Sequence, residues 1–175
     1  MKPRLLLSLL FVACAGLLQA RLGFGASTRL NEDWQFCLVE TVSTPAPPAG
    51  DPMWQPVTLP HDWSVRGQLD PALASCTGYL PGGVGWYRKV VSIPRQTDGE
   101  RVYLYFEGIY NRSEVYLNGH LLGRRPNGYV SFYYDATPHV RFDEANELTI
   151  RVDHSRSADS RWYTGSGIYR DVHLV

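Results

Sequence analysis

From residue 34 onward the chain sets apolar against polar residues in short alternating runs, with none of the 3.6-residue periodicity of an amphipathic helix. Residues 34–38 (Trp34-Gln35-Phe36-Cys37-Leu38) form the first predicted strand. The following stretch, 43–52, holds Pro45, Pro47, Pro48, Gly50 and Pro52 and predicts a surface loop, because proline brings no N–H to a ladder. Residues 54–59 read as a short, edge-like strand ended by Pro60. From 61 to 84 the pattern is irregular and punctuated by Gly67, Pro71, Gly78, Pro81, Gly82 and Gly83. Loops of that length are places where function resides.

Regular alternation then resumes. Residues 86–93 predict a strand closed by Pro94, and 101–107 set Val102, Leu104 and Phe106 inward against Tyr103 and Tyr105 on the other face. Residues 113–122 predict a hairpin with Asn118-Gly119 at its tip, the pair that best tolerates the positive φ angles of a two-residue turn. Strands follow at 129–135, 147–153 and 171–175, the second with Leu148, Ile150 and Val152 in clean alternation. Eight or more short strands, Gly/Pro punctuation and no helix beyond the first segment predict an all-β fold, an antiparallel β-sandwich of the jelly-roll type. The chain stops within a strand at Val175, which reads as the first module of something longer.

The start of the chain changes the picture of where it acts. A basic Met1-Lys2-Pro3-Arg4, a short apolar run to Leu18 and small residues thereafter have the layout of a secretory signal peptide over 1–26, with cleavage between 20 and 26. The run is short of the ~20 residues that span a bilayer. Residues 27–175 then form one domain, secreted or periplasmic, with no membrane contact after cleavage. The 17 basic and 17 acidic side chains balance, which gives no electrostatic case for nucleic acid. Cys37 and Cys76 remain after the leader; an exported compartment permits a disulfide between them, and two free thiols are the alternative. No cysteine or histidine spacing marks a zinc site, and nothing calls for an organic cofactor.

Several motifs together carry a family resemblance. Leu59-Pro60-His61-Asp62-Trp63, Gly85-Trp86-Tyr87-Arg88, Phe106-Glu107-Gly108-Ile109-Tyr110, Val115-Tyr116-Leu117-Asn118-Gly119, Asn146-Glu147-Leu148 and the run from Gly165 to Val172 occur in order. The chain resembles, from about Trp34 to its end, the N-terminal sugar-binding domain of glycoside hydrolase family 2, which includes β-galactosidases and β-glucuronidases. The resemblance implies a galactose-binding-like sandwich, followed in the family by an immunoglobulin-like domain and a (β/α)8 barrel that carries both catalytic glutamates. It implies hydrolysis of terminal β-glycosides, β-galactosides first among them, with no catalytic residue on this chain and no turnover by it alone.

The resemblance also points to Asp62 and Asp153 as the positions that hydrogen-bond sugar hydroxyls. Ionised carboxylates suit that task because each can accept from two neighbouring hydroxyls. His154 lies beside Asp153, and Trp162 or Trp63 could stack a sugar ring. The bland alternatives are a turn or cap role for Asp62, a surface imidazole for His154, and a plug between sheets for a tryptophan. Asn31-Glu32 and Asn146-Glu147, the dipeptide that holds the family's acid/base, read as structural here. Asn111-Arg112-Ser113 matches a glycosylation acceptor. Two other readings compete: a stand-alone carbohydrate-binding module or lectin, which calls for aromatics grouped on an exposed face, and a purely structural domain.

Overall fold

The structure, a computed structural model, describes residues 27–39, 41–95, 101–156 and 160–175. The expected leader over 1–26 lies outside the described residues. Among the described residues no helix is long and apolar enough to cross a membrane.

Among the described residues, ten strands form two antiparallel sheets. The six-stranded sheet contains β2 (Trp34–Val39), β3 (Gln55–Val57), β4 (Gly83–Ser92), β6 (Ser113–Leu117), β7 (His120–Arg125) and β9 (Ala145–His154), in the order β3-β2-β4-β9-β6-β7. The four-stranded sheet contains β1 (Thr28–Arg29), β5 (Tyr103–Phe106), β8 (Phe132–Asp135) and β10 (Val172–Leu174), in the order β1-β10-β5-β8. The fold is the expected all-β sandwich. Strand β1 and the short 3-10 turns at Ser64–Arg66, Ser75–Thr77 and Thr137–His139 carried no periodic signal, being two or three residues long.

Period-two side-chain alternation builds the core. In β9, Leu148, Ile150 and Val152 point inward and are fully buried, and they meet Tyr87, Phe106, Val115, Leu117 and Val172 in one cluster between the sheets. Each such side chain contributes roughly 1.5–3 kcal/mol relative to exposure. Strand β4 departs from simple alternation because both of its faces are covered: Tyr87 and Val91 face the main core, while Val84 and Trp86 face outward. The proline-rich loop folds back over that outer face. Trp54 and Trp86 donate their indole N–H groups to the carbonyls of Pro48 and Thr44, at 3.0 and 3.2 Å, enclosing a second small core with Cys37 and Val39. Cys37 and Cys76 are free thiols, and burial raises the Cys37 thiol to about 11.

The hairpin between β6 and β7 turns where the sequence predicts it, with φ of +51° at Asn118 and +81° at Gly119. Asn118 does more than turn. Its amide donates to the carbonyl of His139 and to Asn146, and its oxygen accepts the Glu147 N–H, so the tip is tied to the start of β9.

Candidate functional site at the loop end of the sandwich

The antiparallel connections bring the segments after β3, β5, β7 and β9 to one end of the sandwich. Residues 166–168 lie at their centre. His61 donates its backbone N–H to Ile168 at 2.8 Å and Trp63 to Ser166 at 3.1 Å on one side, while Tyr110 and Gly167 exchange both backbone bonds at 2.9 Å on the other. The Asp153 N–H, at the end of β9, donates to Asn111 at 3.1 Å. Three chain segments far apart in sequence are thereby laced into one surface. Gly167 makes the lacing possible: its φ is +122°, and a Cβ there would stand 2.3 Å from the Tyr87 hydroxyl and 2.6 Å from the His61 carbonyl.

Asp62 holds this surface together. Its Oδ1 accepts the N–H of Ser64 and of Ser166, both at 2.9 Å, and its Oδ2 accepts the Tyr163 hydroxyl. The two backbone bonds saturate Oδ1. Oδ2 has one donor and keeps acceptor capacity for a second. Burial, then the Asp62 carboxylate, hold the Tyr163 phenol well above its ordinary range.

Asp153 is more heavily engaged. Ser155 donates to its Oδ1 through N–H at 3.0 Å and hydroxyl at 2.6 Å, and the guanidinium groups of Arg112 and Arg151 approach at 3.7 and 3.4 Å. Burial pushes this carboxyl up, but the Ser155 bonds and the two arginines outweigh it and keep the group below the usual aspartate value. The side chain is 17% exposed.

His154 is a buried imidazole, not a surface one. A chain of hydrogen bonds fixes its proton. The Ser64 hydroxyl donates to the Pro81 carbonyl at 2.6 Å, so the 2.5 Å contact between Ser64 and Ser166 uses the Ser166 hydrogen. The 2.6 Å bond between His154 Nδ1 and the Ser166 oxygen must then be donated by Nδ1. Tyr110 packs edge-on against the ring at 5.0 Å. The inner residues His61 and Tyr87 form a second buried pair, Nδ1 to hydroxyl at 2.8 Å. Burial, then the charge of Arg66, lower His61 to about 4.

Trp162 is 61% exposed, with its indole N–H donated to the Tyr129 hydroxyl at 3.0 Å. Tyr129, Val130 and Tyr163 are exposed as well. Trp63, by contrast, is buried against Phe36 at 5.4 Å and donates to the Gly82 carbonyl, which makes it core. A cavity of about 170 Å³ is lined by Ser64, Leu73, Thr77, Pro81, His154 and Tyr163 among others.

Of the four residues expected to meet sugar, Trp162 is exposed and Asp62 is half-buried with acceptor capacity left on Oδ2, while Asp153 and His154 are more fully engaged by the chain itself. Tyr163, Tyr129, Ser64 and Ser166 were not legible as site residues, since nothing in their spacing ties them to Asp62 or His154. Asn111 is buried, which leaves no room for a glycan on its side chain in the folded domain. The two Asn-Glu pairs sit in structural bonds. Asn31 bridges Asp171 and the Val172 N–H, Asn146 bonds to Asn118, Arg141 and Glu144, and Glu147 pairs with Arg88 at 2.6 Å.

The fold is that of a galactose-binding-like sandwich domain. Residues 84–167 match the domain family described as Glycosyl hydrolase 2 galactose-binding domain-like, and the chain belongs to glycosyl hydrolase family 2 as the N-terminal domain of that kind. It is 46% identical to Beta-galactosidase BoGH2A of Bacteroides ovatus over 146 residues, which are 82% of this chain and 17% of that protein. A beta-glucuronidase of Bacteroides fragilis is 31% identical over 151 residues, 83% of this chain and 20% of that protein. The crystal structure of a beta-glycosidase from Bacteroides vulgatus superposes with a TM-score of 0.76 at 41% identity, over 86% of this chain and 20% of the other. The chain thus spans about a fifth or less of the length of these relatives.

Proposed function

We propose that this domain forms one wall of the sugar-binding site of an exported family 2 glycoside hydrolase that cleaves terminal β-glycosides, β-galactosides first among them. The observation that carries the reading is the exposure of Trp162 and Tyr163 beside the half-buried Asp62, whose Oδ2 accepts the Tyr163 hydroxyl. An acceptor with spare capacity beside a flat aromatic face is the pairing a sugar needs: hydroxyls bond to the carboxylate and the ring's C–H face packs on the indole. The 170 Å³ cavity beside Tyr163 is lined by neither Asp62 nor Trp162 and is smaller than the ~300–1,000 Å³ of a ligand pocket, so in this reading a second surface completes the enclosure of a glycoside. In this reading the acid/base and the nucleophile are supplied by a barrel beyond these residues, no organic cofactor takes part, and the chain alone turns over nothing.

The reading is tested in two steps. Immunodetection of the native gene product, with serum against the purified domain, is expected to show a band several times the 19.8 kDa of this chain. In that longer protein, Trp162→Ala and Tyr163→Phe are expected to raise KM for an aryl β-galactoside with the fold intact. Unchanged kinetics in both variants would leave the domain with a purely structural role.

One observation favours a second reading, a stand-alone carbohydrate-binding module. Tyr103, Tyr105 and Tyr133 share the outer face of the four-stranded sheet, with Tyr133 66% exposed and its ring 5.7 Å from that of Tyr103. A native band near the mass of this chain, with glycan binding lost in Tyr133→Ala, selects this reading over the first.

A further inference from the structure

Outside the loop-end surface, one group of side chains on the outer face of the four-stranded sheet brings metal-ligand atoms together. Strand alternation buries Val172 and turns Asp171 and His173 to the same outer face. The register sets Val172 opposite Phe106, and the Glu107 N–H donates to the Asp171 carbonyl at 3.1 Å, so Glu107 stands across from Asp171. One donor atom from each of Glu107, Asp171 and His173 lies within 4.8 Å of the other two. Two adjacent strands therefore present a carboxylate, a carboxylate and an imidazole to one point.

The imidazole supplies a second, independent observation. His173 Nε2 is shielded from water and has no hydrogen-bond partner, although Glu107 Oε1 is only 3.3 Å away. The other ring nitrogen, Nδ1, lies 3.3 Å from the Ser27 hydroxyl. When Nδ1 donates to that hydroxyl, the Nε2 lone pair faces an anionic oxygen, an arrangement that a cation between them converts from repulsive to attractive. The 3.3 Å separation already suits that cation: zinc bonds of about 2.1 Å in a tetrahedron require donors roughly 3.4 Å apart.

Asp171 can join the pair. Its Oδ1 accepts the Asn31 amide at 2.9 Å, which orients the carboxylate, and Oδ2 has only the Arg29 guanidinium at 3.7 Å. The Arg29 side chain is 67% exposed, so this ion pair is weak and easily displaced.

We propose that Glu107, Asp171 and His173 bind a divalent transition-metal ion, with Zn2+ as the ion best matched to one imidazole and two carboxylates. The ion clips β5 to β10 on the face away from the core, and Arg29 is its built-in competitor for Asp171.

Calorimetric titration of the tag-free, chelator-treated full chain with ZnCl2 tests the proposal. The expected result is saturable binding of one equivalent, weakened at least tenfold in His173→Ala and in Glu107→Gln, and tightened several-fold in Arg29→Ala. Unfolding temperatures measured in EDTA show which variants are folded; should His173→Ala not fold, the Glu107→Gln and Arg29→Ala pair decides. Absence of saturable binding overturns the proposal. So does binding that survives Glu107→Gln or is lost in His139→Ala, which would place the ion at the stacked His120 and His139 rings, 4.4 Å apart.

Discussion

The carboxylate of Asp62 accepts the backbone N–H of Ser166, 104 residues further along the chain, at 2.9 Å. The same oxygen takes the Ser64 N–H, and the other takes Tyr163. The residue that faces the proposed sugar site is therefore also the clasp that builds it.

Asp62→Ala leaves three donors without their acceptor and is expected to destabilise the domain by about 2–4 kcal/mol, read as a lower urea midpoint. Asp62→Asn keeps an oxygen for the two backbone groups and exchanges the charge-assisted Tyr163 bond for a weaker one in which the amide donates to the hydroxyl, so its loss should be about half as large or less. Equal losses in the two variants would mean that the backbone bonds contribute little.

Gly167→Ala is expected to cost more than about 3 kcal/mol, or to prevent folding, because the added methyl meets the Tyr87 hydroxyl and the His61 carbonyl at a positive φ. Gly50→Ala serves as the control for φ alone, since its φ is +86° and the space around it is open. Urea unfolding of both variants separates strain from collision.

His61 is held neutral by burial, falling from 6.5 to about 4 on folding. Between those values the unfolded chain binds the extra proton, so the contribution is fully present above pH 6.5 and is lost as pH falls toward 4. The full extent is roughly 3 kcal/mol. Urea midpoints measured from pH 7 to 4 should fall in the natural chain and fall less in His61→Gln.

Asp153 shifts in the opposite chemical setting. Its carboxyl is below the ordinary 3.8 in the folded chain, so its contribution is present above about pH 4 and is lost as pH falls through the lowered value. Asp153→Asn should be less stable than the natural chain at pH 6, and the gap should narrow as pH falls below about 4, followed by the same urea midpoints.

Trp162→Ala should leave stability within about 0.5 kcal/mol, because the ring is 61% exposed and its indole bond lies at the surface. A large loss of stability would identify Trp162 as a packing residue and remove it from the proposed sugar wall.

The strands and the core were legible in the sequence because each follows from a local rule. Leu148, Ile150 and Val152 declare their face by alternation, and Asn118-Gly119 declares its turn by the φ angles it tolerates. The motifs around Asp62 and Gly165 likewise carried the family resemblance without coordinates. Local rules say nothing about which distant segments meet. That Tyr163 reaches Asp62, that Ser64 and Ser166 orient His154, and that Glu107 stands beside His173 follow from sheet order and register. Burial of His154 was hidden for the same reason: the inward alternation of β9 continues two residues past Val152, its last apolar position, and Tyr110 and Ser166 pack against the ring. The sequence by itself determined the element types, the inward faces and the family; tertiary structure alone decided which polar groups are spent on one another and which remain open to a ligand. Side-chain pattern acts through neighbours along the chain, whereas hydrogen-bond saturation is set by neighbours in space.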